Sequence, residues 1–155
     1  MTTQTRPSWD TYFVDVAHIV QTRSNCIRGS VGAIITKEKR IISTGYNGTP
    51  SGVPDCSDEG CKRCLERENG ILKKGERKDL CICVHAEHNA LLQAANHGIS
   101  TKGTTLYATV APCISCAKAL INAGIVEVIY DAQHSDDFGE GLLKMAGIKI
   151  RKYNK

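Results

Sequence analysis

The sequence predicts an α/β protein in which a mixed sheet is covered by helices on both faces. Three observations carry that prediction. Two β-branched runs, 31–36 and 40–46, are separated by the charged Lys37, Glu38 and Lys39, the pattern of an antiparallel hairpin. From residue 104 onward, strand-like and helix-like stretches alternate in the order of a parallel βαβαβ unit. Ahead of both stands an amphipathic stretch whose apolar side needs a sheet to cover it.

The elements follow in order. Ser8 can cap a helix in which Trp9, Tyr12, Phe13, Val16, Ala17 and Val20 keep the three-four spacing, out to about Ser24. After the hairpin, residues 47–84 form an irregular insertion rich in glycine and proline, with a short helix expected over 57–68. Residues 87–98 read as a helix with Ala90, Leu91, Ala94 and Ala95 on one side and Gly98 as its stop. A buried strand over 104–109 leads into a helix over 113–124, which carries Ala117, Leu120 and Ile121. A strand at 126–130 and a helix at 137–146 closed by Gly147 come next. The last strand, 148–153, alternates Lys149 and Arg151 with apolar residues, as an edge strand does.

The whole chain sets further bounds. At 155 residues and 41% hydrophobic, residues 1–155 suit one domain with a proper core. The formal charge is +4, with 20 Lys and Arg interspersed among 16 Asp and Glu. That balance argues against a nucleic-acid surface and suits a small anionic substrate. The segment MTTQTRPSWD lacks the apolar core of a signal peptide, and no apolar run approaches the ~18 residues of a membrane span. A cytoplasmic protein without membrane contact is expected. In a reducing compartment the eight cysteines are better read as thiolate ligands than as disulfides.

Two stretches carry the chemistry, VHAEHNA at 84–90 and APCISCAK at 111–118. Cys113 and Cys116 are three apart, so at the start of a helix both thiolates can grip one ion. Pro112 suits such a first turn, and the positive end of the helix dipole favours thiolates there. His85 and Glu87 are two apart and converge only where a helix begins. A His/Cys/Cys set leaves zinc a free position for water, and Glu87 remains available to move protons. Either half alone is weak, since a lone CxxC is often a structural or redox pair. Together, each followed by a helical pattern, they form the established signature of zinc-dependent nucleobase deaminases.

Other stretches extend the likeness: Cys26-x-Arg28, Val31-Gly32-Ala33, the run ISTGYNG at 42–48, and Ala123-Gly124-Ile125. With them the chain resembles the cytidine deaminase-like superfamily, and within it the deoxycytidylate (dCMP) deaminases, over nearly its whole length. The resemblance implies a three-layer α/β/α domain around a five-stranded mixed sheet. It also implies hydrolytic deamination of dCMP to dUMP and ammonia, which feeds dTTP synthesis. Zinc would sit on His85, Cys113 and Cys116, and Glu87 would protonate ring nitrogen 3 and then the departing amine. Asn47 would meet the deoxyribose, Arg28 the 5′-phosphate, and Ala86 would line the substrate site. Asn47, Gly48, Thr49 and Gly52 would form a regulatory nucleotide loop, with dCTP (and Mg2+) as activator, dTTP as inhibitor and a homohexamer as the assembly.

Six cysteines remain. Cys26 precedes the first strand, and Cys56, Cys61, Cys64, Cys81 and Cys83 lie in the insertion, where a closed four-sulfur zinc site would tie down a segment with no core of its own. Related deaminases hold a second zinc with cysteines matching Cys26 and Cys56. Cys61 and Cys81 are expected to complete it, with Cys64 or Cys83 as alternatives. The rival readings are a free cytidine deaminase, a tRNA adenosine deaminase, a deaminase of guanine or riboflavin precursors, and a zinc-stabilised binding module in which Glu87 is idle.

Overall fold

A computed structural model describes residues 5–155. Its first helix, α1 (Trp9–Gln21), starts where Ser8 Oγ accepts a hydrogen bond from the Thr11 N–H, so the expected cap is in place and the helix stops three residues short of Ser24. Strands β1 (Gly32–Lys37) and β2 (Arg40–Tyr46) pair antiparallel. Lys37 ends β1, and Glu38 and Lys39 alone make the turn, with φ of 49° and 60°. That geometry is the two-residue hairpin turn whose backbone twist matches the strands, although Asn and Gly usually fill it.

The insertion contributes a 3-10 turn at Cys56–Asp58 and a short helix α2 (Lys62–Glu68), so the helix expected over 57–68 is split in two. After it come α3 (Ala86–Asn96), β3 (Thr104–Val110), α4 (Ile114–Asn122), β4 (Ile125–Ala132), α5 (Phe138–Met145) and β5 (Lys149–Lys152). The strand order is β2-β1-β3-β4-β5, with β1 antiparallel to β3 and with β3, β4 and β5 mutually parallel. The last strand is therefore an edge, as its alternating charges indicate.

Strand pleating sorts the core into two layers, because neighbouring residues point to opposite faces. Ile34, Tyr107 and Ile129 stand in register across β1, β3 and β4, and meet Phe13, Val14 and Ala17 of α1. Their neighbours Ala33, Ile35, Leu106, Ala108 and Val128 point the other way, onto Ala86 and Ala90 of α3, Ala117 and Leu120 of α4 and Leu143 of α5. Each fully buried Ile or Leu contributes roughly 1.5–3 kcal/mol. Among the described residues, no helix is long and apolar enough to cross a membrane.

One ion-pair network ties α1 to the far edge of the sheet. Arg151 on β5 holds Asp10 at 2.7 Å and Glu127 at 3.0 Å, and the Tyr107 hydroxyl donates to Asp10 at 3.0 Å. The Arg151 guanidinium holds Asp10 below the usual carboxylate range. A folded-state pKa below the unfolded one stabilises above roughly pH 3.9, and that stability is lost as pH falls through the folded value. We therefore expect Asp10→Asn to lower stability at neutral pH by no more than about 1 kcal/mol, since the pair is partly solvated. The gap to the wild type should close as the pH drops below the carboxylate range. Thermal melts of both proteins across that range check this, and a pH-independent gap would exclude the electrostatic origin.

Candidate metal centre and active-site cleft

The two chemical motifs sit at two helix starts. His85 is the N-cap residue of α3 (φ −71°, ψ 155°) and Cys113 the N-cap residue of α4 (φ −71°, ψ 171°). Among the described residues neither side chain caps its own helix, so both are free to point at a common ligand. Pro112 differs from expectation. It stands one residue before the cap instead of inside the first turn, where its fixed φ sets the approach of the chain from β3.

His85 Nδ1 lies 3.4 Å from Cys113 Sγ and 3.3 Å from Cys116 Sγ. A tetrahedral zinc with the usual bonds to nitrogen and sulfur needs about 3.5 Å between those donors, so this set fits the ion. Cys116, at the third helical position, is buried, while His85 and Cys113 face the opening. Hydrogen bonds from Cys116 and His85 pull Cys113 down to about 3. The same contact with Cys113 lifts His85 to about 9 against the effect of burial, and Cys113 together with burial pushes the Cys116 thiol up. Metal uptake must displace the protons on His85 and Cys116.

Glu87 is the second residue of α3, within its first turn, and is only 4% exposed. Burial raises its carboxyl pKa, which suits a group that must hold a proton for part of a cycle. A cleft of about 130 Å3 opens beside it, walled by His85, Ala86 and Glu87 and, across from them, by Val31 and Asn47. That volume suits a single six-membered ring.

Asn47 is placed where it can touch a ligand, but most of its amide is already used. Its Oδ1 accepts from Ser24 Oγ and the Val31 N–H, and its Nδ2 donates to Gly29 O, which leaves one N–H for the cleft. Gly48 and Val84 exchange backbone hydrogen bonds, so the 47–52 loop is anchored one residue before His85. Gly48, Thr49 and Gly52 line a separate, polar cavity of about 380 Å3 together with Asn25, Tyr46 and Asn89. Arg28 is not brought to the cleft. Its guanidinium is ion-paired with Glu68 at the end of α2.

The insertion cysteines gather, in a grouping other than the expected one. Cys26, Cys56, Cys64 and Cys83 form one group and Cys61, Cys64, Cys81 and Cys83 another, with sulfurs within 4.8 Å in each. The quartet Cys26, Cys56, Cys61 and Cys81 is not among these groups; the structure adds Cys64 and Cys83 to both halves of it.

Several site residues carried no sequence signal. His134 lines the cleft from the loop after β4. His88 Nδ1 stands 3.8 Å from Cys116 Sγ, and burial lowers its pKa, so a neutral ring flanks the buried thiol. Gly45 and Gly139 let backbones approach, the first against α3 and the second against Pro112 and Cys113. The HAE spacing hints at His88 only as an adjacent helical residue, and contacts across the fold have no local pattern to betray the rest.

Comparison with known proteins decides the lineage. The family model described as the cytidine and deoxycytidylate deaminase zinc-binding region matches residues 7–132. The chain belongs to this family. The matched span includes both chemical motifs and every cysteine of the insertion. A deoxycytidylate deaminase of Schizosaccharomyces pombe is 40% identical over 96% of this chain and 45% of its own length. The chain thus spans under half the length of the fungal deaminases it matches. One of Mycobacterium phage D29 is 40% identical over 81% of this chain and 95% of its own length. Among solved structures, the dCMP deaminase of cyanophage S-TIM5 in complex with dCMP and dUMP superposes with a TM-score of 0.77 at 30% identity, covering 97% of this chain and all of that one. The five-stranded mixed sheet with helices on both faces is the cytidine deaminase-like fold.

Proposed function

We propose that this chain hydrolyses dCMP to dUMP and ammonia. The observation that carries the reading is the buried Glu87 carboxyl beside the His85, Cys113 and Cys116 donors, in a cleft the size of one ring. The likeness to deoxycytidylate deaminases and to a structure holding dCMP and dUMP supports that choice of substrate. Zinc on those three donors would supply Lewis acidity and lower the pKa of water. Glu87 takes a proton from the attacking water and delivers it to ring nitrogen 3, then takes the proton of the hydroxyl formed at carbon 4 and passes it to the departing amine, so that the carbonyl forms as ammonia leaves. Ala86 shapes the wall next to the ring, and the remaining Asn47 N–H is available to a sugar hydroxyl.

Arg28 is assigned the 5′-phosphate, for which it must exchange Glu68 for the ligand. Ammonia release from a panel of dCMP, dCTP, deoxycytidine and CMP tests the substrate, and dCMP is expected to lead. Arg28→Ala should lower kcat/KM for dCMP by roughly one to two orders of magnitude, about 1.5–3 kcal/mol, and leave deoxycytidine unchanged. An equal loss on both would leave Arg28 only its pairing with Glu68.

The same reading includes control and assembly. The polar cavity beside Gly48, Thr49 and Gly52 is the place for dCTP with Mg2+ as activator and dTTP as inhibitor, in a homohexamer. A structural zinc on the insertion cysteines, distinct from the catalytic one, belongs to it as well. All eight cysteines are free, which suits a cytoplasmic setting where dUMP supplies dTTP synthesis.

A further inference from the structure

The six cysteines outside the active-site cleft are arranged for more than one ion. They form a cluster of their own in which every buried residue is a cysteine, Cys56, Cys61, Cys64 and Cys83, with Cys26, Ile27 and Cys81 packed against it. None of the larger apolar side chains of the same insertion is fully buried, and Val53, Ile71, Leu80 and Ile82 are exposed. The segment is therefore held by sulfur and not by a hydrocarbon core.

The sulfurs make two quartets, and the quartets share Cys64 and Cys83. One tetrahedral ion uses four thiolates and would leave two thiols, one of them fully buried, without a role. Two tetrahedra that share an edge use all six, each shared sulfur donating one lone pair to each ion. Zinc–sulfur bonds of about 2.3 Å put neighbouring sulfurs about 3.8 Å apart. Cys64 and Cys81 are 3.7 Å apart and Cys61 and Cys81 are 4.0 Å apart. Charge agrees as well, because six thiolates with two divalent ions carry the same net charge as four thiolates with one.

We propose that Cys26, Cys56, Cys61, Cys64, Cys81 and Cys83 form a binuclear thiolate centre for two zinc ions, bridged by Cys64 and Cys83. Cys26 and Cys56 complete one ion, and Cys61 and Cys81 the other. The centre deepens the single structural zinc of the reading above, but it does not depend on catalysis. It joins the loop after α1 to both ends of the insertion. Cys83 lies two residues before His85, so the centre also steadies the segment that presents this ligand.

Metal analysis of the full chain, purified without chelator, should give three zinc per chain, one at the cleft and two in the cluster. Two per chain would replace the binuclear centre with a single four-sulfur site, and one per chain would remove it. His85→Ala, which strips the cleft of a ligand, should still retain two zinc. That count separates failure of the cluster from failure of the deaminase reading, which ammonia release decides. Cys61→Ser should lower the total from three to two, and Cys64→Ser should lower it to one. Should either variant fail to fold, the wild type exchanged with cadmium-113 gives the answer. Two all-sulfur resonances coupled to each other through the shared thiolates are expected, and a single uncoupled all-sulfur resonance would overturn the proposal.

Discussion

Glu87→Gln will keep zinc and dCMP binding and lose nearly all turnover. The amide preserves the shape of a side chain that is only 4% exposed, yet it can neither accept the proton of water nor hand one on. A single acid-base group is typically worth about 10²- to 10⁴-fold, and in the proposed mechanism Glu87 serves more than one transfer, so the loss should lie at the upper end or beyond. Stability should hold or rise, because the variant removes a carboxyl whose ionised form is penalised by burial. Ammonia release, zinc content and calorimetric dCMP binding on one preparation check all three. Near-normal turnover by zinc-loaded Glu87→Gln would end the proposed mechanism.

The second large effect is expected at a residue with no side chain. Gly45 on β2 lies under α3, and a Cβ there would stand 2.1 Å from Ala86 O and 2.4 Å from Ala90 N. Both are backbone atoms of the helix that carries Glu87 and follows His85, so no rotamer change relieves the clash. Gly45→Ala must push α3 off the sheet, at a cost of about 1–3 kcal/mol. In a chain of this size that lowers Tm by roughly 2–4 °C per kcal/mol. A displacement of about 1 Å at the helix start should also cost about 10²-fold in kcat. Gly141→Ala on α5 is the control, with nothing within 4 Å of its added methyl, and it should raise stability by as much as about 1 kcal/mol. Wild-type Tm and activity in Gly45→Ala would show that the close approach does not position α3.

The active-site donors were legible because their spacing is local. His85 with Glu87, and Cys113 with Cys116, are separated by two and three residues, and at a helix start such separations dictate a shared direction. Element order was legible for a similar reason, since apolar periods of 2 and 3.6 read the same in sequence and structure. Boundaries moved by one to three residues, as at Ser24, and Pro112 moved from the first turn to just before the cap.

What the sequence by itself determined is the set of local arrangements: the hairpin, the alternating strands and helices, and two helix tips bearing a histidine, a glutamate and two cysteines. Tertiary structure alone decided which distant groups meet. It placed Cys64 and Cys83 in both sulfur quartets, paired Arg28 with Glu68, committed the Asn47 amide to Ser24, Val31 and Gly29, and brought His134 to the cleft. Local spacing is enforced by the backbone within a single turn. Contacts across 16 to 40 residues, such as Val31 with Asn47 and Arg28 with Glu68, leave no periodic trace and exist only once the sheet and its helices have closed the intervening loops.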